Sequence, residues 1–570
     1  MFSFRRGSPR GTSPAMTRAA AIGRLREETF DLVIIGGGIT GAAIARDAVL
    51  RGLTVALLEK GDFASGTSSK SSKLVHGGLR YLKGRHIRLV RESLRERGVL
   101  LKIAPHLVRA VSFYLPVYEG DRDGKLMLKL GLTAYDVLAG FGDITHHRML
   151  SKEQLLEDEP LLRPEGLRGG FRYSDCLVKD ARLTLTTVRS AVRGGAVAVN
   201  YAEATGLRRE DGRVNGLTFI DRMTGQTGTV AARVVVNATG PWVDRVREMG
   251  GAPPILRPSK GIHLVLMASR LKLSRIVVIP RNDRILFAVP TGDCTYIGTT
   301  DSDYTDDPGA VSVDANDAGY VLDATNALFP SAQLTASDVI AGWAGVRPLV
   351  AKEGTPITSD VSRDFEVDTG PEGLVSIAGG KLTTCRAMAE KLLDSVIAGD
   401  GHRFGWKTKP CKTEETPLLG GSIDGFESYS RSARAALEEG WGLSAAAAER
   451  LLHTHGTEHV RVLGYALRDP RLLRPLADNC PVLRAEALYA AEEEMAVTLE
   501  DFMARRTELM LFGAGNGLAA AQAAAELMGS VLGWSGRERR RQVERYREVV
   551  AGMTAFAKAK KEAPAAAESE

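Results

Sequence analysis

The chain has 570 residues, 44% of them hydrophobic and 25% charged, a balance that suits two or three packed domains rather than one core. Its apolar runs fall well short of the ~18–20 residues that span a bilayer. Its five cysteines show neither CxxC nor metal-ligand spacing, so a disulfide framework and a structural metal are excluded. The net charge of +6 is modest and comes with no basic face, aromatic platforms or known module, which excludes nucleic acid as the partner.

Residues 1–28 carry arginines at 5, 6, 10, 18, 24 and 26 and no apolar stretch of a secretory signal. They are expected to form a disordered basic extension. An apolar run at 32–35 then leads into Gly36-Gly37-Gly38-Ile39-Thr40-Gly41, a helical pattern over 42–49, a strand over 54–58 and the acid Glu59. Strand, GxGxxG turn, helix, strand and terminal acid make one dinucleotide-binding unit. Its glycines let the backbone approach a pyrophosphate at a helix N-terminus, and Glu59 can accept from a ribose hydroxyl.

The stretch 66–82 follows, with Lys70, Lys73, His76, the pair Gly77-Gly78, Arg80 and Tyr81 in one segment, and then a long basic helix over 86–104. Strand-like runs around 196–232 and over 262–300 read as an antiparallel sheet lying over the cofactor. Two more strand–turn units punctuate the chain, at 234–240 ending in Gly240 and at 375–380 running into Lys381, Leu382 and Thr383. Three such turns argue for a flavin dinucleotide rather than a free nicotinamide. A helix N-terminus after the third would favour the negative charge of a reduced flavin ring. The pattern breaks near 400–420 and becomes helical, with Leu499, Phe502, Met503 and Met510 on one face. The reading is a basic extension (1–28), a cofactor domain (29–400) with insertions at approximately 105–160 and 196–350, a linker (401–421), a helical domain (422–555) and a disordered tail (556–570).

The runs GGGITGAA (36–43), SSKLVHGGLRYL (71–82), FRYSDCLVKDARL (171–183), NATGPWV (237–243), SKGIHL (259–264), IGTTD (297–301), GVRPL (345–349), GGKLTT (379–384) and TLEDFMARRT (498–507) occur in one order along the chain. In these the chain resembles the FAD-dependent glycerol-3-phosphate dehydrogenases, within the D-amino-acid-oxidase-like flavoproteins. The resemblance implies an α/β fold: a discontinuous FAD-binding, Rossmann-like domain, an inserted antiparallel β substrate domain and an all-α C-terminal domain. It implies FAD as cofactor, noncovalently held by Gly36, Gly38, Ile39, Thr40, Gly41, Glu59, Thr67, Ser68, Ser72, Lys73, Leu74, His76, Gly240, Lys381, Leu382 and Thr383. Arg80, Tyr81 and Arg347 would face the substrate, with His263 nearby and Lys381 between substrate and flavin. Arg363, in SerArgAspPhe, is added as a phosphate ligand.

A phosphate-bearing polyol needs fixed cations, for which arginine's planar fork is suited. Removing hydrogen from an alcohol needs a base, and His263 is favoured over His76 because a neutral imidazole is competent near its ordinary pKa of ~6.5. The implied reaction is oxidation of sn-glycerol 3-phosphate at C2 to dihydroxyacetone phosphate, with electrons passed to a membrane quinone. The alternatives are a glycerol-3-phosphate oxidase using O₂ and a flavin-binding scaffold without turnover. Family oxidases carry an extra insertion, and no surplus is evident before residue 400. The expected setting is cytoplasmic, peripheral on an anionic membrane surface, and compatible with a homodimer. Residues 125–130, where lysines alternate with apolar residues, are the candidate lipid contact; an ordinary amphipathic helix packed on the core is the competing reading.

Overall fold

In the computed structural model, residues 18–83, 86–140, 144–281, 284–351, 364–370 and 372–557 are described. Arg363, residues 1–17 and the tail from 558 lie outside them, as does the side chain of Arg80. The apolar strand Thr29–Ile35 sits at the centre of the first sheet. It runs parallel to Val55–Leu58 on one side and Thr227–Asn237 on the other, with Ile35 level with both Leu58 and Asn237. Val197–Val199 continues the sheet beyond Val55–Leu58, and Val375–Gly379 pairs parallel with Thr227–Asn237. Their central stretches, 32–35, 55–58 and 234–236, are unbroken apolar runs because both faces are covered there, as buried parallel sheets require. The helices Ile39–Leu50, Asp180–Arg193 and Cys385–Phe404 contribute to the core on one side.

The other side corrects two expectations. Residues Arg18–Glu27, read as part of a disordered extension, form a helix whose Ala21, Ile22 and Leu25 are buried against this sheet. The strands Ala202–Glu210 and Arg213–Asp221, assigned from sequence to an insertion over the flavin, form an antiparallel ribbon on Thr227–Asn237 and so belong to the cofactor sheet. The alternation of a half-exposed ribbon looks the same whichever sheet it joins.

Among the described residues the second sheet has ten strands and is largely antiparallel. It starts from Ser259–Met267, which pairs with Cys294–Gly298 and Val339–Arg347, and extends through Arg284–Thr291 and Ile276–Arg281 to Val108–Tyr118 and Leu167–Val178. Leu74–Val75 closes its far edge against Leu177 and Cys176, so the segment after the nucleotide turn stitches the two sheets together.

From Phe426 to Gly552 the elements are helices. This part is held to the cofactor domain by buried charges. Asp62 receives both Arg505 and Arg506, and Arg182 reaches Glu494 at 2.6 Å. Arg182 also stands 3.2 Å from His455, which is buried within the helical part beside the pair Arg450 and Glu486 at 2.7 Å. His106 is also buried here, with neither ring nitrogen partnered among the described residues.

The clasp makes stability pH-dependent in one direction. Burial pushes His106 down to about 3 and His455 to about 4, against an ordinary 6.5. The unfolded chain therefore binds more protons below 6.5, and stability declines as pH falls from 6.5 towards these values. Burial raises the carboxyls of Glu486 and Glu494, but the Arg450 and the Arg182 and Arg189 guanidiniums more than offset it and hold both at about 2. Their contribution is present above ~4.5 and lost as pH falls towards 2. The urea midpoint should be flat near neutrality and drop continuously below about pH 6.5; a midpoint that stays level from pH 7 to pH 4 would contradict this account.

Candidate active site

Three parallel strands end at one level, and their carboxyl ends bring together Gly36–Gly41, Glu59 and the turn Ala238–Gly240. Gly36 has φ +111°, and a Cβ there would lie 2.5 Å from the carbonyl oxygen of Ala238. A Cβ on Gly41 would come within 1.9 Å of the Gly36 oxygen. Both glycines are demanded by protein packing. Gly38 differs: it caps the helix Ile39–Leu50 with no side-chain hydrogen bond, and a Cβ there would meet only Ser68 Oγ, at 3.1 Å. Gly240, at φ +56°, faces open space. The glycines that protein contacts do not require thus border a gap at a helix N-terminus, where a pyrophosphate fits.

Glu59 braces this turn. Its two carboxylate oxygens accept the amides of Gly37 and Gly61, each at 2.8 Å. Burial raises its pKa, and those amides pull it back. Each oxygen keeps a second lone pair for a ribose hydroxyl.

The next segment wraps from the turn to the substrate side. Ser68 Oγ accepts the Ile39 amide at 2.9 Å, and Thr67 donates to the Val346 carbonyl at 2.6 Å. Lys73, expected at the cofactor, sends its ammonium elsewhere. It lies buried 2.6 Å from Asp180 and 3.2 Å from Glu508, and these acids raise its pKa against the cost of burial. Any part Lys73 takes in holding a cofactor falls to its backbone, which has φ +54°. Leu74 is a buried strand residue. The His76 amide donates to Thr383 Oγ1 at 3.3 Å, tying this segment to the turn Leu382–Thr384 that opens the helix Cys385–Phe404. Ile39 and Thr40 begin the helix Ile39–Leu50, so their amides belong to its first turn.

The basic side chains form two groups. In one, the Lys381 ammonium stands 4.0 Å from the centre of the Tyr81 ring and 3.3 Å from Ser93 Oγ, beside Gly78. Arg80 begins the short helix Arg80–Lys83 next to it. In the other, the Arg347 guanidinium is held by Thr299 Oγ1 and the Thr300 carbonyl at 3.0 Å and by Asp301 at 3.2 Å, with longer contacts to Ser259 Oγ and the Lys260 carbonyl. His263 lies on the strand Ser259–Met267, whose residue Ser259 stands opposite Arg347. Its ring stacks on Trp343 at 4.7 Å, and its Nε2 is 2.9 Å from Ser72 Oγ. Burial, then Arg347, then Lys73 hold its pKa well below 6.5, so the imidazole is neutral. Its Nδ1 has no partner among the described residues.

Sequence reasoning missed Tyr135, whose hydroxyl accepts the Gly77 amide at 2.8 Å and donates to Asp175. It also missed the roles of Asp180, Glu508 and Trp343. Asp301 and Thr299 stood in a quoted motif without a role; Tyr135 carried no signal, because only the fold brings its helix to Gly77.

The model of the family described as FAD dependent oxidoreductase matches residues 31–386, and that of the C-terminal domain of alpha-glycerophosphate oxidase matches 411–539. A protein of Bacillus subtilis named aerobic glycerol-3-phosphate dehydrogenase is 41% identical over 500 residues, covering 86% of this chain and 88% of its own. A Staphylococcus aureus protein of the same name is 37% identical over 537 residues, covering 92% and 94%. The crystal structure of a glycerol-3-phosphate dehydrogenase from Bacillus halodurans complexed with FAD is 34% identical, with a TM-score of 0.80 over 95% of this chain and 99% of that one.

The two kinds of glycine separate cofactor binding from folding. Gly38→Val should fold, with an unchanged circular dichroism spectrum, yet purify without flavin, since its side chain fills the gap. Gly41→Val should lower the thermal stability of the flavin-free protein itself, because its Cβ meets backbone. Released FAD per chain and apo-protein melting, measured on both variants, check the pair; full flavin content in Gly38→Val would contradict the placement.

Proposed function

The chain belongs to the FAD-dependent oxidoreductases, and on that footing we propose that it oxidises sn-glycerol 3-phosphate at C2 to dihydroxyacetone phosphate for a membrane quinone. FAD is its cofactor. When bound, it accepts the hydrogen and electron pair leaving C2 and holds the electrons that the quinone draws off. Relatives bearing the name aerobic glycerol-3-phosphate dehydrogenase across nearly the whole chain support the substrate. A peripheral, cytoplasmic position on an anionic membrane is part of the same proposal. Among the described residues no helix is long and apolar enough to cross a membrane.

The observation that carries the chemistry is the adjacency of Arg347 to a buried, neutral His263. Arg347 is fixed by Thr299, Thr300 and Asp301, and its contacts to Ser259 and Lys260, at 3.3 and 3.4 Å, are the ones a phosphate would replace. Lys381 and Tyr81 hold the polyol on the other side, with Arg80 expected beside them. His263 is a weak base in the substrate-free protein, partly because Arg347 and Lys73 oppose its protonation. A dianionic phosphate on Arg347 screens that repulsion and raises its proton affinity. Binding of the correct substrate thereby makes the ring competent to take the C2 hydroxyl proton, with Ser72, bonded to Nε2, holding its orientation.

Anaerobic addition of glycerol 3-phosphate should bleach the bound flavin, and a quinone analogue should restore its colour faster than O₂. No bleaching would point to a scaffold, and faster return with O₂ to an oxidase. Arg347→Ala should raise KM for glycerol 3-phosphate by about tenfold or more, as loss of a charged contact costs on the order of 1.5–3 kcal/mol. Activity on unphosphorylated glycerol should barely change; equal loss on both substrates would remove Arg347 from phosphate binding. His263→Asn should instead lower kcat by roughly 10²-fold with flavin content and KM little changed; a kcat near that of the parent would rule His263 out as the base.

A further inference from the structure

The helix Lys125–Ala139 carries apolar side chains on both of its faces. Its inner face is used: Leu132 and Tyr135 are buried, and Tyr135 packs with Val90 and Leu94 of the neighbouring helix Ile87–Ile103. Its outer face is covered by none of the described residues. Leu126, Met127, Leu130 and Val137 are 72, 63, 60 and 63% exposed. At 3.6 residues per turn Leu126, Leu130 and Val137 fall on one stripe, with Met127 on one shoulder and Lys129 on the other. Single exposed apolar residues need no explanation, but a contiguous stripe marks an interaction surface.

Charge indicates what covers it. Lys129 borders the stripe, and the neighbouring helix adds an exposed Ile87 with exposed Arg88 and Arg91. The acid of the helix, Asp136, is taken up by the backbone amide and ring of His147, at 3.0 and 2.7 Å. Asp121 and Asp123 lie in the turn before the helix, with Arg122 between them. An apolar stripe rimmed by lysine and arginine matches a bilayer with anionic headgroups, where the leucines enter the acyl boundary and the cations meet phosphate.

We propose that this face, Leu126, Met127, Leu130 and Val137 with Ile87, is where the protein lies on an anionic bilayer. The proposal names the lipid-facing surface of the membrane reading above and rests on that reading for its purpose. The position suits it. On the inner side of the same helix Tyr135 accepts the Gly77 amide at 2.8 Å, and Gly77 adjoins Gly78, beside Tyr81 and Lys381. The helix that meets lipid is therefore hydrogen-bonded to the loop at the candidate substrate site, which places electron exit next to the membrane.

The test is flotation of the holoenzyme with phosphatidylcholine vesicles, with and without a minority of phosphatidylglycerol, at low and high salt. Binding should need the anionic lipid and fall with salt. Leu126→Glu/Leu130→Glu should weaken it at least about tenfold, while Arg88→Gln/Lys129→Gln should weaken only the salt-sensitive part. Both variants should keep parental flavin content and turnover with a soluble dye acceptor. Leu467→Glu, at an exposed leucine of the helical domain, should float like the parent. The proposal is overturned if the parent does not float at low salt, or if Leu126→Glu/Leu130→Glu floats as well as the parent. A parental dimer in light scattering that this variant turns to monomer overturns it in favour of a second copy. Flotation without quinone turnover sinks the quinone reading and leaves the docking surface standing; quinone turnover without flotation does the reverse.

Discussion

The structure depends on one close approach, where the backbone of Gly36 passes so near Gly41 that a Cβ would stand 1.9 Å from its oxygen. That contact seats the first turn of the helix Ile39–Leu50 directly on the end of the central strand. The Ala238 carbonyl, 2.5 Å from where a Gly36 Cβ would be, presses from the next strand. Of the glycines in these two turns, Gly38 and Gly240 are not closed in by backbone. Glu59 then locks the rim by taking two amides, which spends burial energy on a carboxylate so that the turn cannot relax.

The segment after that turn is held in place by the far end of the chain. Lys73 lies between Asp180, on the helix Asp180–Arg193, and Glu508, in the C-terminal domain. Arg505 and Arg506 likewise close on Asp62, just beyond Glu59. Removing one member of such a group leaves a buried charge uncompensated, which costs far more than a surface ion pair. The helical domain is therefore more than an appendage: its charges preorganise the loop that runs from the nucleotide turn to Tyr81.

The two basic groups of the candidate site sit in different surroundings, and the proposed function gives them different tasks. Arg347 and His263 lie on the inner strands of the large sheet, where Trp343 and Tyr296 exclude water and keep the imidazole neutral. Lys381 rests on the ring of Tyr81 at the start of a helix, next to a glycine pair that Tyr135 holds from outside. A neutral ring among fixed cations responds to an incoming anion; a lysine on an aromatic face supplies steady charge.

The sequence by itself determined the nucleotide-binding unit, the three strand ends and the helical C-terminal part. In those places local spacing is the structure: glycines that must pack on backbone, apolar runs buried on both faces, and a 3.6-residue period. It did not determine where side chains of long reach would point. Lys73 was legible as a lysine in a functional segment, yet whether its ammonium met a cofactor or Asp180 and Glu508 depended on residues more than a hundred positions away. The ribbon 202–221 had the right pattern for either sheet, and residues 18–27 became a helix only because the first sheet offered its apolar face to Ala21, Ile22 and Leu25. Tyr135 at Gly77 and the exposed stripe on its helix were likewise settled by tertiary structure, since a periodic pattern states that a helix has an apolar face but not which of two such faces the core will take.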